Sequence, residues 1–425
     1  MNRRGPTVVV RAGIGFVLVS LVAACSLPLP AAPAATPSAT PIPSSATPPP
    51  ATAAAAPPPP TTETAAIDVR ATLDRLFGEH VILVAFTTDA ALNGRAEEAA
   101  AYLGALDGNS IDLAAIIGSV YGDAAGTAFL DLWRDHIDLV VAYTQALAGD
   151  DTAAADTAVQ ALINYTFEFG DFLEGANPYL RSADVASLVE SHILSLKAVI
   201  DSQHAGDPVA TYASLREAYG HMDHIAVAIA SALALQFPET LGGDAGSAAA
   251  EFRIRLNQIL QEHVGLALSA TGAALGGRTP EFLAAAAQLD ANGEDLAAAF
   301  ASLFGDPVGE EFLDGWRSHV EIIMTYTDAV ADHDEAKADL QVQAFGAYTM
   351  EFGTLLNSLH PGLNAAGVAE LFKMHWFGLQ FVIDAQAEGD FVTAAEDTRH
   401  GLGHMGLIAD PFAKAFVQQS PDQFR

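Results

Sequence analysis

The chain has 425 residues, of which 51% are hydrophobic, so there is ample apolar material to build a core. Nineteen lysines and arginines stand against 52 acids, a net charge of −33. That balance excludes nucleic acid as a partner, because phosphate binding needs clustered cations. The single cysteine excludes a disulfide framework, a cysteine-based zinc site and an iron–sulfur cluster within one chain.

The N-terminus has the pattern of a secretory signal. Arginines precede an uncharged apolar segment, 12–24, which is too short for an ordinary membrane span. The segment ends in Leu-Val-Ala-Ala-Cys, with the cysteine at Cys25, and resembles the lipobox of bacterial lipoproteins. The resemblance implies that residues 1–24 are removed and that Cys25 carries a lipid. We therefore expect an extracytoplasmic protein anchored to the cell membrane.

Residues 25–65 form a predicted tether. They are nearly all Pro, Ala, Thr and Ser, a composition that cannot bury a core and favours extended polyproline II. Such a segment, at about 3.1 Å per residue, reaches on the order of 100 Å. The folded part is thus expected to stand away from the membrane surface.

The rest of the chain is one sequence written twice. Trp133 and the Arg that follows it recur at Trp316, 183 residues later, and other short motifs repeat at the same offset. Aligned without a gap, 71–240 and 254–423 are about 40% identical, the self-similarity that marks a duplicated unit. We therefore predict two homologous domains, each closing its own core. Their predicted ranges, around a glycine-rich join, are 66–241 and 248–425.

Each copy is predicted to be all helix. Ala, Leu and Val recur at spacings near three and four, and proline is absent from the long segments. Five breaks divide the first copy into six segments, and Asp123, Asp151 and Asp207 stand where N-caps are wanted. Short connections make sequential helices antiparallel neighbours. The fold class is therefore all-α, with two tandem up-and-down bundles of about six helices each.

Histidines follow a finer period. His80, His136 and His192 are spaced by 56 residues, and Asp112 and Glu168 are also 56 apart, so each copy reads as three helical hairpins. With a rise of about 1.5 Å per residue, neighbours in this set differ in height by about one helical turn. The sequence predicts a ring of six inward-facing polar side chains in each copy: His80, Asp112, His136, Glu168, His192 and His221 in the first, and His263, Asp295, His319, Glu351, His375 and His404 in the second.

Such a ring favours metal binding. Buried imidazoles and carboxylates are costly unless they are paired or metal-bound, and this donor set suits Zn, Fe, Mn or Cu. Two alternatives remain open: a non-catalytic interaction or ligand-binding module whose core holds a His–carboxylate hydrogen-bond network, and a metal-dependent oxidoreductase. No catalytic motif is present, so the leading interpretation is storage, sensing or delivery of a metal rather than enzymatic turnover.

Several motifs resemble a family of bacterial histidine-containing helical-bundle proteins. The motifs are Glu79-His80, Trp133-Arg134-Asp135-His136-Ile137, Glu168 with Phe172-Leu173, Ala176-Asn177-Pro178 and Gln236-Phe237-Pro238. The resemblance covers essentially all of each copy. It implies a helical fold with the same His and acid positions, and no established activity. Its members are usually single-copy, whereas this chain is duplicated.

Overall fold

A computed structural model describes residues 59–425, which form one compact unit. The predicted signal segment, Cys25 and most of the tether lie outside the described residues. Within the described range the chain is helical and has no strand. None of these helices is long and apolar enough to cross a membrane.

Six long helices form each copy, as predicted. Helices of the first copy are α1 Ala65–Leu92, α2 Ala96–Tyr121, α3 Asp123–Ala148, α4 Thr152–Ala176, α5 Ser182–His204 and α6 Pro208–Gln236. A four-residue helix, α7 (Pro238–Leu241), leads into the join. Helices of the second copy are α8 Ala248–Leu275, α9 Thr279–Phe304, α10 Asp306–Ala331, α11 Glu335–Leu359, α12 Ala365–Glu388 and α13 Phe391–Gln419.

Helix ends follow the turn chemistry of the sequence. All five breaks predicted in the first copy coincide with junctions between helices. The Asp151 and Asp207 carboxylates accept hydrogen bonds from backbone N–H groups of the following turn, as N-caps do. Asp123 was predicted to be a cap and is not one. Gly122, at φ 92°, turns the chain directly into α3, so Asp123 is already the first helical residue.

Each copy closes into a ring of antiparallel helices. Consecutive helices pack side by side, and α6 returns to pack against α1, as α13 does against α8. Across the ring, α1 also contacts α3 and α5, and α8 contacts α10 and α12. The first helix of every hairpin therefore lines the centre of its copy, where the three hairpins meet.

The two copies share one apolar core rather than the two separate cores expected from the sequence. Helix α1 packs on α8, α2 on α13, and α6 on α9. A single cluster of buried apolar residues runs through both copies. The physical reason lies in α1 and α8, which are buried on nearly every side over most of their length. The end of the predicted tether joins this body, since Thr62 is buried.

Arginines bind the copies together reciprocally. Arg399 of the second copy donates to Glu79 at 2.6 Å and to Asp112 of the first. Its counterpart Arg216 donates to Glu262 and Asp295 of the second copy, so the pattern repeats under a pseudo-twofold relation. Glu79 is buried, and desolvation raises its pKa while Arg399 opposes that rise.

A second arginine pair clamps the chain segments that enter the two bundles. Arg70 donates to the Ala245 carbonyl at 2.7 Å, and its counterpart Arg253 donates to the Thr62 carbonyl at 2.9 Å. Each guanidinium also pairs with an acid in the first turn of the other copy's first helix. Four arginines thus neutralise acids across the boundary of a strongly acidic protein.

Where α1 crosses α8, the copies have diverged in complementary ways. Ile82 of the first copy contacts Gly265, which stands at the equivalent position of the second, and a Cβ at Gly265 would lie 2.8 Å from the Ile82 Cδ1. One turn earlier the roles are reversed, since Gly78 faces Gln261. Each large side chain fills the space beside a glycine. The interface therefore fits one copy of each kind better than two identical copies.

A swap at this crossing tests the fit. Gly265→Ile should lower the free energy of unfolding by about 1–3 kcal/mol through overpacking. Ile82→Gly should lower it by about 3 kcal/mol or more, through a cavity and a helical glycine. The double variant should lose less free energy of unfolding than the two single variants lose together, as measured by urea unfolding. Gly104→Ile, on the exposed face of α2 with open space around it, is the control and should be nearly neutral. Strict additivity in the double variant would show that the two positions are not coupled.

Candidate metal centre

Three histidines meet at the centre of each copy. His80 of α1, His136 of α3 and His192 of α5 each offer one ring nitrogen within 4.8 Å of the others. In the first copy the His80 ring centroid lies 5.3 Å from that of His136 and 5.6 Å from that of His192. The same arrangement recurs in the second copy, in the triad His263, His319 and His375. The predicted 56-residue period thus brings three imidazoles to one point.

Helical phase places each imidazole on the inner stripe of its helix. On α3 the buried positions are spaced by three and four residues, and His136 occupies one of them. Its neighbours along the stripe are Phe129 and Trp133 on one side and Val140 and Tyr143 on the other. Apolar packing above and below therefore fixes the height and direction of the ring.

The triad imidazoles are buried, and most of their ring nitrogens have no hydrogen-bond partner among the described residues. Both ring nitrogens of His80, His136 and His192 lack a hydrogen bond within the described residues. In the second copy all three Nδ1 atoms are likewise unpaired, and the Nε2 atoms of His263 and His319 lie 3.3 Å apart. Each unpaired buried polar group costs about 1–3 kcal/mol. The sequence tolerates that cost at six histidines, in both copies.

Burial keeps these imidazoles neutral. Desolvation lowers the pKa of His136 to about 4 and, with help from neighbouring histidines, the pKa of His192 to about 3. It also lowers the pKa of His319 to about 3, and burial moves the pKa of His80 well below its usual range. A neutral imidazole has a free lone pair, which is the form that binds metal.

Aromatic side chains wall the triads. The Trp133 ring lies 4.5 Å from the His136 ring and 5.2 Å from the His80 ring, between centroids. Tyr165 lies 5.2 Å from His136, and burial raises the pKa of its hydroxyl well above the usual value, so the proton is retained. The Trp133 indole N–H and the Tyr165 hydroxyl are buried and have no hydrogen-bond partner in the part of the chain that the structure describes. Trp316 and Tyr348 repeat this wall in the second copy.

The four predicted carboxylates do not join the triads. Asp112 and Asp295 lie at the boundary between the copies, where arginines of the opposite copy bind them. Glu168 and Glu351 are exposed. An estimate of height along the helices takes no account of rotation about the helix axis. These acids fall on helix faces that turn away from the centre.

His221 and His404 approach the centre but are bonded elsewhere. The His221 Nε2 lies 3.0 Å from the carbonyl oxygen of Leu188, one turn before His192. The His404 Nε2 lies 3.1 Å from the carbonyl oxygen of Leu371 in the same way. Both are half-buried. The predicted ring of six polar groups is therefore a triad with His221 or His404 at its edge.

The residues that do face inward from the second helix of each hairpin carry the same 56-residue spacing. They are Asn109, Tyr165 and His221. The Asn109 amide donates to the carbonyl of Leu76, one turn before His80, just as His221 meets the carbonyl one turn before His192. The same spacing is present in the sequence, where Asn109 and Tyr165 each lie three residues before the predicted ligands Asp112 and Glu168.

Each triad can hold a metal ion. Tetrahedral zinc, with metal–nitrogen bonds of about 2.0–2.1 Å, holds its ligand nitrogens about 3.3–3.4 Å apart. The Nε2 atoms of His263 and His319 already have that separation, and the candidate ligand atoms of each triad all lie within 4.8 Å of one another. Three histidine ligands leave a fourth position for water or another ligand.

No protein-family model, no curated protein and no solved structure matches this chain.

Stability of the metal-free protein should depend on pH. The native imidazoles have lowered pKa values, whereas unfolded histidine titrates near 6.5, so the unfolded chain binds more protons below that pH. The free energy of unfolding should be undiminished above pH 6.5. It should fall between pH 6.5 and about 4, by up to about 1.4 kcal/mol per pH unit for each buried imidazole.

Urea unfolding with chelator present, at several pH values, measures this slope. His192→Leu should reduce the slope by the share of one imidazole. Val140→Ala, on the inner stripe of α3, should lower stability at every pH and leave the slope unchanged. A metal-free protein whose stability is flat from pH 7 to 5 would contradict buried neutral histidines.

Proposed function

We propose that this protein binds one transition-metal ion in each copy, through His80, His136 and His192 and through the corresponding second triad, for storage, sensing or delivery. One observation carries the proposal: three buried imidazoles converge from three helices with their ring nitrogens unpaired. An ion would satisfy those nitrogens at once, because metal ligation uses the lone pairs that the protein leaves free.

The geometry disfavours a purely structural hydrogen-bond network. Such a network would pair the histidines with carboxylates, as the sequence analysis allowed. No triad imidazole bonds a carboxylate among the described residues, and the first triad forms no hydrogen bond there at all. A buried polar network that is left unsatisfied is worse for stability than an apolar core. Retention of histidine therefore needs another cause.

The available space disfavours an organic ligand at the first triad. The crevice beside His136 and His192 holds about 10 Å³, close to the minimum for one water molecule. Pockets for small organic molecules usually span about 300–1,000 Å³. A cleft of about 330 Å³ does lie between the copies, lined by Tyr102, Gln203 and Gln386, but it includes no triad residue.

The donor set narrows the choice of metal. Imidazole nitrogen suits Zn, Cu, Fe and Ni, whereas Mn and the hard cations prefer carboxylate oxygen. Because Asp112 and Glu168 lie away from the site, the triad lacks the carboxylate ligands that Mn prefers, and Mn is the least favoured of the metals considered. Zinc, copper, iron and nickel are therefore the metals to test.

We further propose that the bundle is tethered to a membrane from the extracytoplasmic side. Support comes from the sequence alone: the lipobox-like segment ending at Cys25 and the proline-rich residues that follow it. A metal-binding module held in this way would meet ions outside the cytoplasm.

Metal stoichiometry tests the site. Untagged protein dialysed against Zn(II) should retain two ions per chain, one for each triad. His136→Ala and His319→Ala should each leave one ion, and the double variant should leave none, by elemental analysis. A hundredfold excess of metal over its dissociation constant should stabilise the fold by about 2.7 kcal/mol, visible as a rise in melting temperature that a chelator reverses.

Glu168→Gln and His221→Ala are the matched controls, because both were plausible ligands from the sequence and neither belongs to a triad. Each should retain two ions. If the wild-type protein takes up no Zn(II), Cu(II), Ni(II) or Fe(II) and none of these ions changes its melting temperature, the triads have only a structural role.

The tether is tested separately. Cys25→Ser should abolish lipid attachment, so the protein should leave the membrane fraction or accumulate as an uncleaved precursor. Fractionation and intact mass distinguish these results. Unchanged processing and unchanged membrane association in the variant would refute the lipoprotein assignment.

A further inference from the structure

The surroundings of the two triads differ where the third, fourth and fifth helices of each copy meet. In the first copy a crevice of about 10 Å³ lies between α3, α4 and α5. The buried rings of His136 and His192 line its inner part, and the half-buried side chain of Lys197 lines its outer part. Leu162 and Ile193 form its walls. A species about the size of one water molecule therefore fits in this crevice, beside the rings of His136 and His192.

In the second copy, larger side chains occupy the same place. Leu162 is replaced by Phe345 and Ile193 by Trp376. The two rings stack with centroids 4.5 Å apart, and both are buried, at 1% and 2% exposure. Gln380, which replaces Lys197, accepts a hydrogen bond from the Trp376 indole N–H at 3.1 Å and anchors the ring there. The corresponding space beside the second triad is filled.

The charge of a bound ion gives this difference a chemical consequence. Three neutral imidazoles leave the full charge of a divalent cation uncompensated, and within residues 59–425 no carboxylate belongs to either triad. A buried cation in that state favours an anionic fourth ligand such as hydroxide or a small anion. In an acidic chain, Lys197 is the only lysine of the first copy, and it borders the crevice, although Asp201 pairs with it at 2.6 Å.

We propose that the two centres are functionally distinct: the metal at the first triad keeps an exchangeable position open to water or a small anion, and the metal at the second triad is closed to exchange by Phe345 and Trp376. This inference rests on the proposed function, since both centres must bind metal. It makes the first copy the reactive or exchanging centre and the second a sequestered one.

Azide binding to the Co(II)-loaded protein tests the distinction, because Co(II) reports its coordination through its visible absorption. Full-length His319→Ala retains only the first triad, and full-length His136→Ala retains only the second. Azide should change the Co(II) spectrum of the first protein saturably. The second should need at least tenfold more azide for the same change.

Exchanging the crevice residues Leu162 and Ile193 with their counterparts Phe345 and Trp376 supplies the matched variants. In the protein with only the first triad, Leu162→Phe with Ile193→Trp should keep the Co(II) bands and lose the azide response. In the protein with only the second triad, Phe345→Leu with Trp376→Ile should gain it. These residues are already accommodated at the equivalent positions of the other copy, and helical circular dichroism checks folding.

The outcomes separate the two proposals. Absence of Co(II) bands in both single-triad proteins would refute metal binding itself and this inference with it. Co(II) binding at both triads with equal azide responses would preserve the metal sites and overturn their distinction. The distinction would also be overturned if the variants with exchanged crevice residues fold and bind Co(II) but show unchanged azide responses.

Discussion

The burial of α1 and α8 on nearly every side governs the rest of the structure. Each of these helices packs at the centre of its own copy and also packs against the other, so its side chains must fit two sets of neighbours. On α1, His80 points to the centre of the first copy, while Gly78 and Ile82 meet the second. Any shift that improved one contact would disturb the other. The triad is thus held by the same helix that joins the copies.

The acidic composition explains how polar groups are arranged around this shared core. A net charge of −33 opposes the close approach of two halves, and arginines counter that repulsion where it is strongest. Arg216 and Arg399 each bring a guanidinium to acids of the other copy, and the pairing is partly shielded from solvent. Asp112, read from the sequence as a ligand, is employed there. The repetition of Asp112 at Asp295 reflects a shared role, but that role is to pair with an arginine of the other copy and not to bind metal.

Duplication leaves two equivalent places that can diverge separately. The triads, the tryptophan wall and the inward tyrosine are the same in both copies, so the chemistry of the centre is held constant. Two of the places where the copies diverge are the crossing of α1 and α8, where Ile82 meets Gly265, and the crevice beside the first triad, where Phe345 stands in place of Leu162. The first makes the pairing asymmetric, and the second makes access asymmetric.

The sequence by itself determined the helices, their breaks, the duplication and the histidines that meet, because these follow from local periodicity and from spacings along one chain. Repeats of 183 and 56 residues were enough to select His80, His136 and His192. It did not determine which acids face inward, since rotation about a helix axis depends on which neighbours cover each face. Only the tertiary structure placed Asp112 against Arg399 and exposed Glu168. Only packing between distant segments decided that the two bundles share one core, because an apolar helix does not specify which partner will bury it.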